Sequence, residues 1–303
     1  MELIKREENY EGWLNQRAKT VGSSQICTIL GLSGYESCLS LWKRYREKDM
    51  LIEDNDFLYF GKMAEPIVIG LFERQTGFKV EANGETVSLA RKGFEFAVAT
   101  PDGFYLKDSD PVLLECKTST RDYDLWKVEE LPIYVACQVQ WQMGVVGVKK
   151  ATVACLLGGY PDLIKIDVDF DPEVFEMMLK AAQGFLKMVH EGKQPPAGAL
   201  DAKILRELNP QEKGLQVEIS GSEMASLAER WLQLGSERKI AEFAAKKLKE
   251  EQDAIQNKIV QKMGKAQLGY FAESNLVAKA TEVKMPAQVR NPYVYTRFSI
   301  KEA

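Results

Sequence analysis

The chain has 303 residues, of which 45% are hydrophobic and 28% charged, and carries a formal net charge of −4. Those proportions exclude a disordered, collagen-like or low-complexity polypeptide, and the length suits one large domain or two smaller ones. No apolar run reaches the roughly 18 to 20 residues of a membrane span and the opening MELIKREENY lacks a signal-peptide stretch, so a soluble, cytoplasmic protein without a membrane partner is expected. The five cysteines, Cys27, Cys38, Cys116, Cys137 and Cys155, contain no CxxC pair and read as buried thiols rather than as a disulfide framework or a zinc or iron-sulfur site. The single histidine, His190, sits in the last turn of a helical stretch before Gly192, where a polar ring is an ordinary helix end. Histidine-dependent hydrolases and zinc enzymes are thereby excluded, and any catalysis falls to carboxylates, a lysine and a divalent metal.

In chain order, a helix is predicted around Tyr10 to Lys19, and a second opens at Gly22-Ser23-Ser24, where a serine can cap the free N–H groups. Two more follow near Ser40 to Lys48 and Gly61 to Gln75, with Pro66 placed in a first turn. Strand-like runs cover Lys79 to Val87, Phe94 to Ala99 and Val112 to Lys117. Tyr134 to Val146 is helical in pattern, Ala151 to Leu156 and Leu163 to Val168 are strand-like, and the helix ending at His190 closes the series. Strands with helices on both sides predict an α/β fold, a sheet covered by helices.

At Gly192 the composition turns to Pro, Gly and polar residues. The expected division is therefore a first domain over 1–191, a linker over 192–221 and a C-terminal extension over 222–303. The extension begins with a long charged helical pattern, Ser222 to Met263, with a serine cap and a break at Gly235 that allows a helical hairpin. A β-rich tail follows, with Tyr270, Phe271, Tyr293, Val294, Tyr295 and Phe298 as its strand formers. Residues 222–303 are net basic and the rest net acidic, so charge alone neither supports nor excludes nucleic-acid binding.

The chemistry is concentrated in Thr100-Pro101-Asp102-Gly103 and Leu113-Leu114-Glu115-Cys116-Lys117. In a strand Glu115 and Lys117 share one face, and placing a carboxylate and an ammonium at the end of an apolar strand requires compensation. Asp102 can supply a second carboxylate from the neighbouring strand. With the Cys116 backbone carbonyl this makes an oxygen set suited to Mg2+, beside which Lys117 can stabilise charge or orient a water. An ordinary cross-strand ion pair, with Asp102 as a turn residue, is the other reading of the same residues.

TPDG and LLECK resemble the core of the PD-(D/E)xK nuclease superfamily, with Asp102, Glu115 and Lys117 in the motif positions. Around them Trp13, Arg17, Gly22-Ser23-Ser24, Gly61, Glu65-Pro66, Leu71-Phe72-Glu73, Tyr134, Gln138-Val139-Gln140 and Met143 follow in an order that resembles the YqaJ-like viral recombinase family, whose relatives include the lambda-type phage exonucleases. The resemblance covers about residues 10 to 190, and the later region is similar to the extended C-terminal part of YqaJ-type members. It implies a restriction-endonuclease-like core with a mixed central sheet flanked by helices. It also implies a Mg2+-dependent 5′-to-3′ exonuclease on double-stranded DNA that leaves 3′ single-stranded tails for phage-type recombination in a bacterial or phage-infected cell.

The same resemblance implies roles. Asp102, Glu115, the Cys116 carbonyl and Glu65 become ligands of two Mg2+ ions, replaceable by Mn2+; Lys117 positions or activates water, and Gln138 is the first glutamine of a QxQ helix beside the site. Arg17 and Ser24 match a 5′-phosphate pocket, consistent with the anion affinity of helix N-termini and arginine. Arg121 becomes a further phosphate contact, although the stretch from Lys117 is shorter than in the lambda-type pattern. Taken singly, Glu65 also reads as a solvated helical glutamate, Gln138 as a surface amide, and Arg17 and Ser24 as a surface cation and a cap. Implied partners are duplex DNA ends, a single-strand annealing protein and two further copies in a homotrimer. The alternatives are a RecB-like nuclease of other polarity and a catalytically idle DNA-binding or assembly protein.

Overall fold

The computed structural model describes residues 2–4, 17–50, 55–82, 88–91, 93–120, 126, 130–159, 161–210, 212, 214–273 and 276–279. Most of the helix expected over Tyr10 to Lys19, Arg121, and Tyr293, Val294, Tyr295 and Phe298 lie outside them. The first elements are β1 (Glu2–Ile4), α1 (Ser23–Ile29), α2 (Cys38–Glu47), α3 (Asp56–Thr76), β2 (Val80–Ala82), β3 (Ser88–Arg91), β4 (Phe94–Ala99), β5 (Gly103–Lys107) and β6 (Asp110–Ser119). They continue with α4 (Ile133–Val146), β7 (Lys150–Leu157), β8 (Ile164–Asp169), α5 (Pro172–Glu191), α6 (Ala202–Leu208), α7 (Ser222–Met263), β9 (Leu268–Tyr270) and β10 (Val277–Lys279).

The central sheet is mixed, in the order β2-β5-β6-β7-β8. Only β6 and β7 pair in parallel, with Glu115 opposite Val153, and their crossover carries α4. Such a strand pair is covered on both faces, and β6 alternates accordingly. Val112 and Leu114 pack with Val68 and Phe72 of α3, whereas Leu113 belongs to the larger core with α4 and α5. Helix α4 buries Val135, Val139, Trp141, Met143, Val145 and Val146, its apolar residues spread around the helix rather than along one stripe. β1, β3 and β4 form a separate antiparallel sheet, tied to α4 by the Trp141 Nε1–H donating to the Val98 carbonyl at 2.9 Å.

Several local expectations are corrected. Helix α1 has Gly22 as its N-cap and no serine cap; instead the Gln25 side chain accepts the Gly22 N–H at 2.7 Å. Helix α3 starts at Asp56, capped by the Asn55 side chain on the N–H groups of Phe57 and Leu58, so Pro66 stands inside the helix rather than in its first turn. The run from Lys79 is a strand only over Val80–Ala82 among its described residues, and β3 belongs to the other sheet. A further strand, β5, follows the TPDG turn signal; it pairs with β6 across Asp108 and Ser109, whose φ angles of 53° and 70° form the tight reversal.

The first compact unit runs through Met1–Gln211, beyond the expected boundary at 191, and the second covers Glu212–Ala303. Part of the expected linker is therefore folded. Ile204, Leu205 and Leu208 pack on the cluster of Leu39, Leu41, Trp42, Tyr45, Met50 and Phe185, and buried Asp201 accepts from the Ser37 hydroxyl and, at 2.5 Å, the Gly198 N–H. In the second unit α7 is continuous through Gly235, because one glycine costs only about 1 kcal/mol against alanine. Its N-cap is Gly221, without a side-chain cap, and it has no buried residue. β9 and β10 pair as an antiparallel hairpin. No helix among the described residues is long and apolar enough to cross a membrane.

Gly144 marks a close approach of α4 and α5: a Cβ there would lie 2.2 Å from the Phe175 ring. Gly144→Ala is expected to destabilise the first unit by roughly 1–3 kcal/mol. The same change at Gly184 on α5, where a Cβ meets nothing within 4 Å, should stabilise by about 0.5–1 kcal/mol. Urea denaturation followed by near-ultraviolet circular dichroism separates the two, and equal midpoints would refute this account of the packing.

Candidate active site

Asp102 immediately precedes β5, and Glu115 and Lys117 stand two residues apart on β6, facing α4. The next residue, Gly103, lets β2 come close, since a Cβ there would lie 2.7 Å from the Val80 side chain and 3.1 Å from the Glu81 carbonyl oxygen. Asp102 is then fixed by its Oδ2, which accepts the Cys116 N–H at 2.6 Å. The two motif segments are joined by this bond as well as by the register that sets Gly103 opposite Leu114.

Glu115 is buried, with 2% of its surface exposed. Its Oε1 accepts from the Lys117 ammonium at 2.5 Å and from the Gln138 Nε2 at 2.6 Å, and its Oε2 accepts from the Gln142 Nε2 at 2.9 Å. The Lys117 ammonium also donates to the Gln138 Oε1 at 3.0 Å, closing a triangle of Glu115, Lys117 and Gln138. Burial, and next the Glu115 charge, push the Asp102 carboxyl well above the usual carboxylate range, against the pull of Lys117 and the Cys116 N–H; Glu65 on α3 adds to the rise. Burial works to lower the Lys117 ammonium, but Glu115 and Asp102 outweigh it and hold the group above the usual lysine range. Burial raises the Cys116 thiol, as do the charges of Asp102, Glu115 and Glu65, so it stays neutral.

The structure thus brings together Asp102, Glu115, Lys117 and Gln138, with Glu65 close enough for its charge to reach Asp102 and Cys116. Gln140, the second glutamine of the expected pair, points elsewhere: its Nε2 donates to the Asp169 carbonyl and its Oε1 accepts the Asp171 N–H, fastening α4 to the end of β8 and the cap of α5. Gln142 was missed. It lies four residues after Gln138, hence on the same helical face, and that spacing was the available signal. Arg17 is half-buried with its charge felt at the Tyr45 phenol, and Ser24 lies exposed in the first turn of α1. Helix α1 is tied to α4 by the Cys27 thiol donating to the Tyr134 carbonyl at 3.1 Å.

No group of three or more His, Cys, Asp and Glu side chains among the described residues is close enough to hold a metal by itself. What the site has is two neighbouring carboxyl groups, Asp102 raised first by burial and then by the Glu115 charge, and only oxygen donors on its anionic side. That donor set fits a hard divalent cation if backbone oxygen and water complete its shell.

Residues 12–149 match the family model described as the YqaJ-like viral recombinase domain. A relative from Bacillus subtilis (strain 168), described as the uncharacterized protein YqaJ, is 32% identical over 196 residues, which make up 63% of this chain and 60% of that protein. The match thus spans less than two thirds of that relative's length. Among solved structures, LHK-Exo in complex with dAMP is similar at a TM-score of 0.52 and 16% identity, covering 60% of this chain and 94% of that one. The alkaline exonuclease LHK-Exo from Laribacter hongkongensis gives a TM-score of 0.51 with the same identity and coverage. The likeness to these structures is one of fold, a mixed central sheet flanked by helices.

Replacing Asp102 by asparagine keeps an acceptor for the Cys116 N–H and removes a carboxylate that Glu115 repels. The metal-free Asp102→Asn protein should therefore be more stable than wild type by about 1 kcal/mol, read as a higher urea midpoint in the presence of a chelator. A lower midpoint would show that Asp102 is held by favourable contacts and carries no electrostatic strain.

Proposed function

Starting from a chain whose residues 12–149 match the model of the YqaJ-like viral recombinase domain, we propose that it is a metal-dependent deoxyribonuclease, digesting one strand of duplex DNA from the 5′ end and leaving a 3′ single-stranded tail for recombination. The observation that carries this reading is the cluster in which Asp102, at the start of β5, meets buried Glu115 and half-buried Lys117 within β6. Asp102, Glu115, the Cys116 carbonyl and Glu65 would hold two Mg2+ ions, with Mn2+ as a substitute. When bound, such ions supply an activated water and neutralise phosphate charge.

The chain's own groups do the rest. Lys117, kept protonated by its two carboxylate neighbours, offers a fixed cation to the scissile phosphate. Gln138 bridges Lys117 and Glu115 and so holds the ammonium at one place as negative charge builds up on phosphate. Arg17 and Ser24 receive the 5′-phosphate, the one by charge and the other by its hydroxyl at the start of α1, and Arg121 is a further phosphate contact. Duplex DNA ends are the substrate, a single-strand annealing protein receives the tail, the assembly is a homotrimer, and the work is done in the cytoplasm.

The deciding experiment is digestion of linear duplex DNA in Mg2+, with 5′-phosphorylated and 5′-hydroxyl ends compared at one ionic strength. Asp102→Ala and Glu115→Ala should be inactive while still folded, and Lys117→Ala should lose roughly 100- to 1000-fold in turnover with DNA affinity retained. Mg2+-dependent digestion by either carboxylate variant would remove the assignment. Arg17→Ala is expected to slow digestion of phosphorylated ends and leave hydroxyl ends unchanged; equal losses on both would withdraw the end-recognition role.

A further inference from the structure

Gln142 is fully buried on α4, and its Oε1 has no hydrogen-bond partner among the described residues. A buried carbonyl oxygen left unpaired costs free energy, and an apolar side chain of the same length would avoid that cost. Against it stands one bond, from the Gln142 Nε2 to the Glu115 Oε2. The other carboxylate oxygen is already taken by Lys117 and Gln138. The amide on Oε2 therefore stops the carboxylate from rotating, and because the amide is neutral it leaves the negative charge in place. A second ammonium or guanidinium at this point would pin the carboxylate equally well but would repel a divalent cation.

We propose that Gln142 is a positioning residue that fixes the rotation of the Glu115 carboxylate and preserves its charge for a divalent cation. The inference rests on the nuclease reading, which makes Glu115 a metal ligand. A hydrogen-bonded partner of a ligating carboxylate sets the orientation of that ligand and so its affinity for the ion. In Gln142→Met the unpaired oxygen disappears together with the donor, so the folding effects offset while the restraint on Glu115 is lost.

The test is calorimetric titration of Mn2+ into the full chain without DNA, comparing wild type with Gln142→Met, alongside thermal unfolding of both in chelator. Binding in the variant is expected to be weaker by roughly 10- to 100-fold with the metal-free unfolding curve unchanged. At saturating Mn2+, turnover should fall while KM for duplex DNA stays at the wild-type value. Wild-type Mn2+ affinity in the variant overturns the positioning role and leaves the nuclease reading standing; a wild-type chain that takes up no Mn2+ and digests no DNA overturns both. If Gln142→Met does not fold, Gln142→Leu is read in the same way, and failure of both to fold makes Gln142 a purely structural residue and overturns the proposal.

Discussion

Glu115 places a carboxylate in the middle of the central sheet with 2% of its surface exposed, and the charge must be matched inside the protein because water cannot reach it. Removing the opposite charge of such a buried ion pair typically costs about 3–5 kcal/mol. Much of the local architecture follows from that requirement. Strand β6 carries Lys117 on the same face, and α4 is seated so that Gln138 and Gln142, one helical turn apart, both reach the carboxylate. The apolar surroundings that make the charge costly also strengthen each bond to it.

The two faces of β6 divide the work. Alternation sends Val112 and Leu114 toward α3 and Leu113, Glu115 and Lys117 toward α4. Helix α3 brings Glu65 from the first of these sides, near enough to act on Asp102 and Cys116, while α4 brings the amides from the other. Cys116, between the two charged residues, contributes its N–H to Asp102 and a neutral thiol to the packing against α3. The candidate site is thus built on rigid elements, with no loop among its side-chain donors apart from the residue that opens β5.

Much of this was legible in the residues themselves. The period-2 run through Glu115 and Lys117 placed both on one face, and the apolar pattern of α4 identified a helix. Gln142 escaped notice because in a helix whose apolar residues are spread around it an amide does not break any periodicity; only the strand opposite gives it a purpose. Strand β5 was hidden because TPDG reads as a turn and the reversal at Asp108 and Ser109 uses left-handed φ without glycine. The early start of α3 depends on an asparagine cap and exposed aromatic residues such as Phe57 and Tyr59, whose exposure runs against their usual burial. The folded stretch around α6 has a linker's composition, and its order comes from tertiary contacts that composition cannot express.

The continuous helix α7 has a thermodynamic consequence. A segment of 42 residues with no buried side chain draws its stability from backbone bonds and pairs such as Arg238 with Glu242 and Lys246 with Glu250, and not from a core. Pairs of this kind contribute only ~0.2–0.5 kcal/mol each and weaken with salt. The helix should therefore fray gradually over a wide range of temperature and ionic strength, whereas the sheet and its helices melt cooperatively. Heating the chain then gives a sloping loss of helicity superimposed on a sharper transition, and a single Tm or unfolding free energy is not defined for the whole molecule.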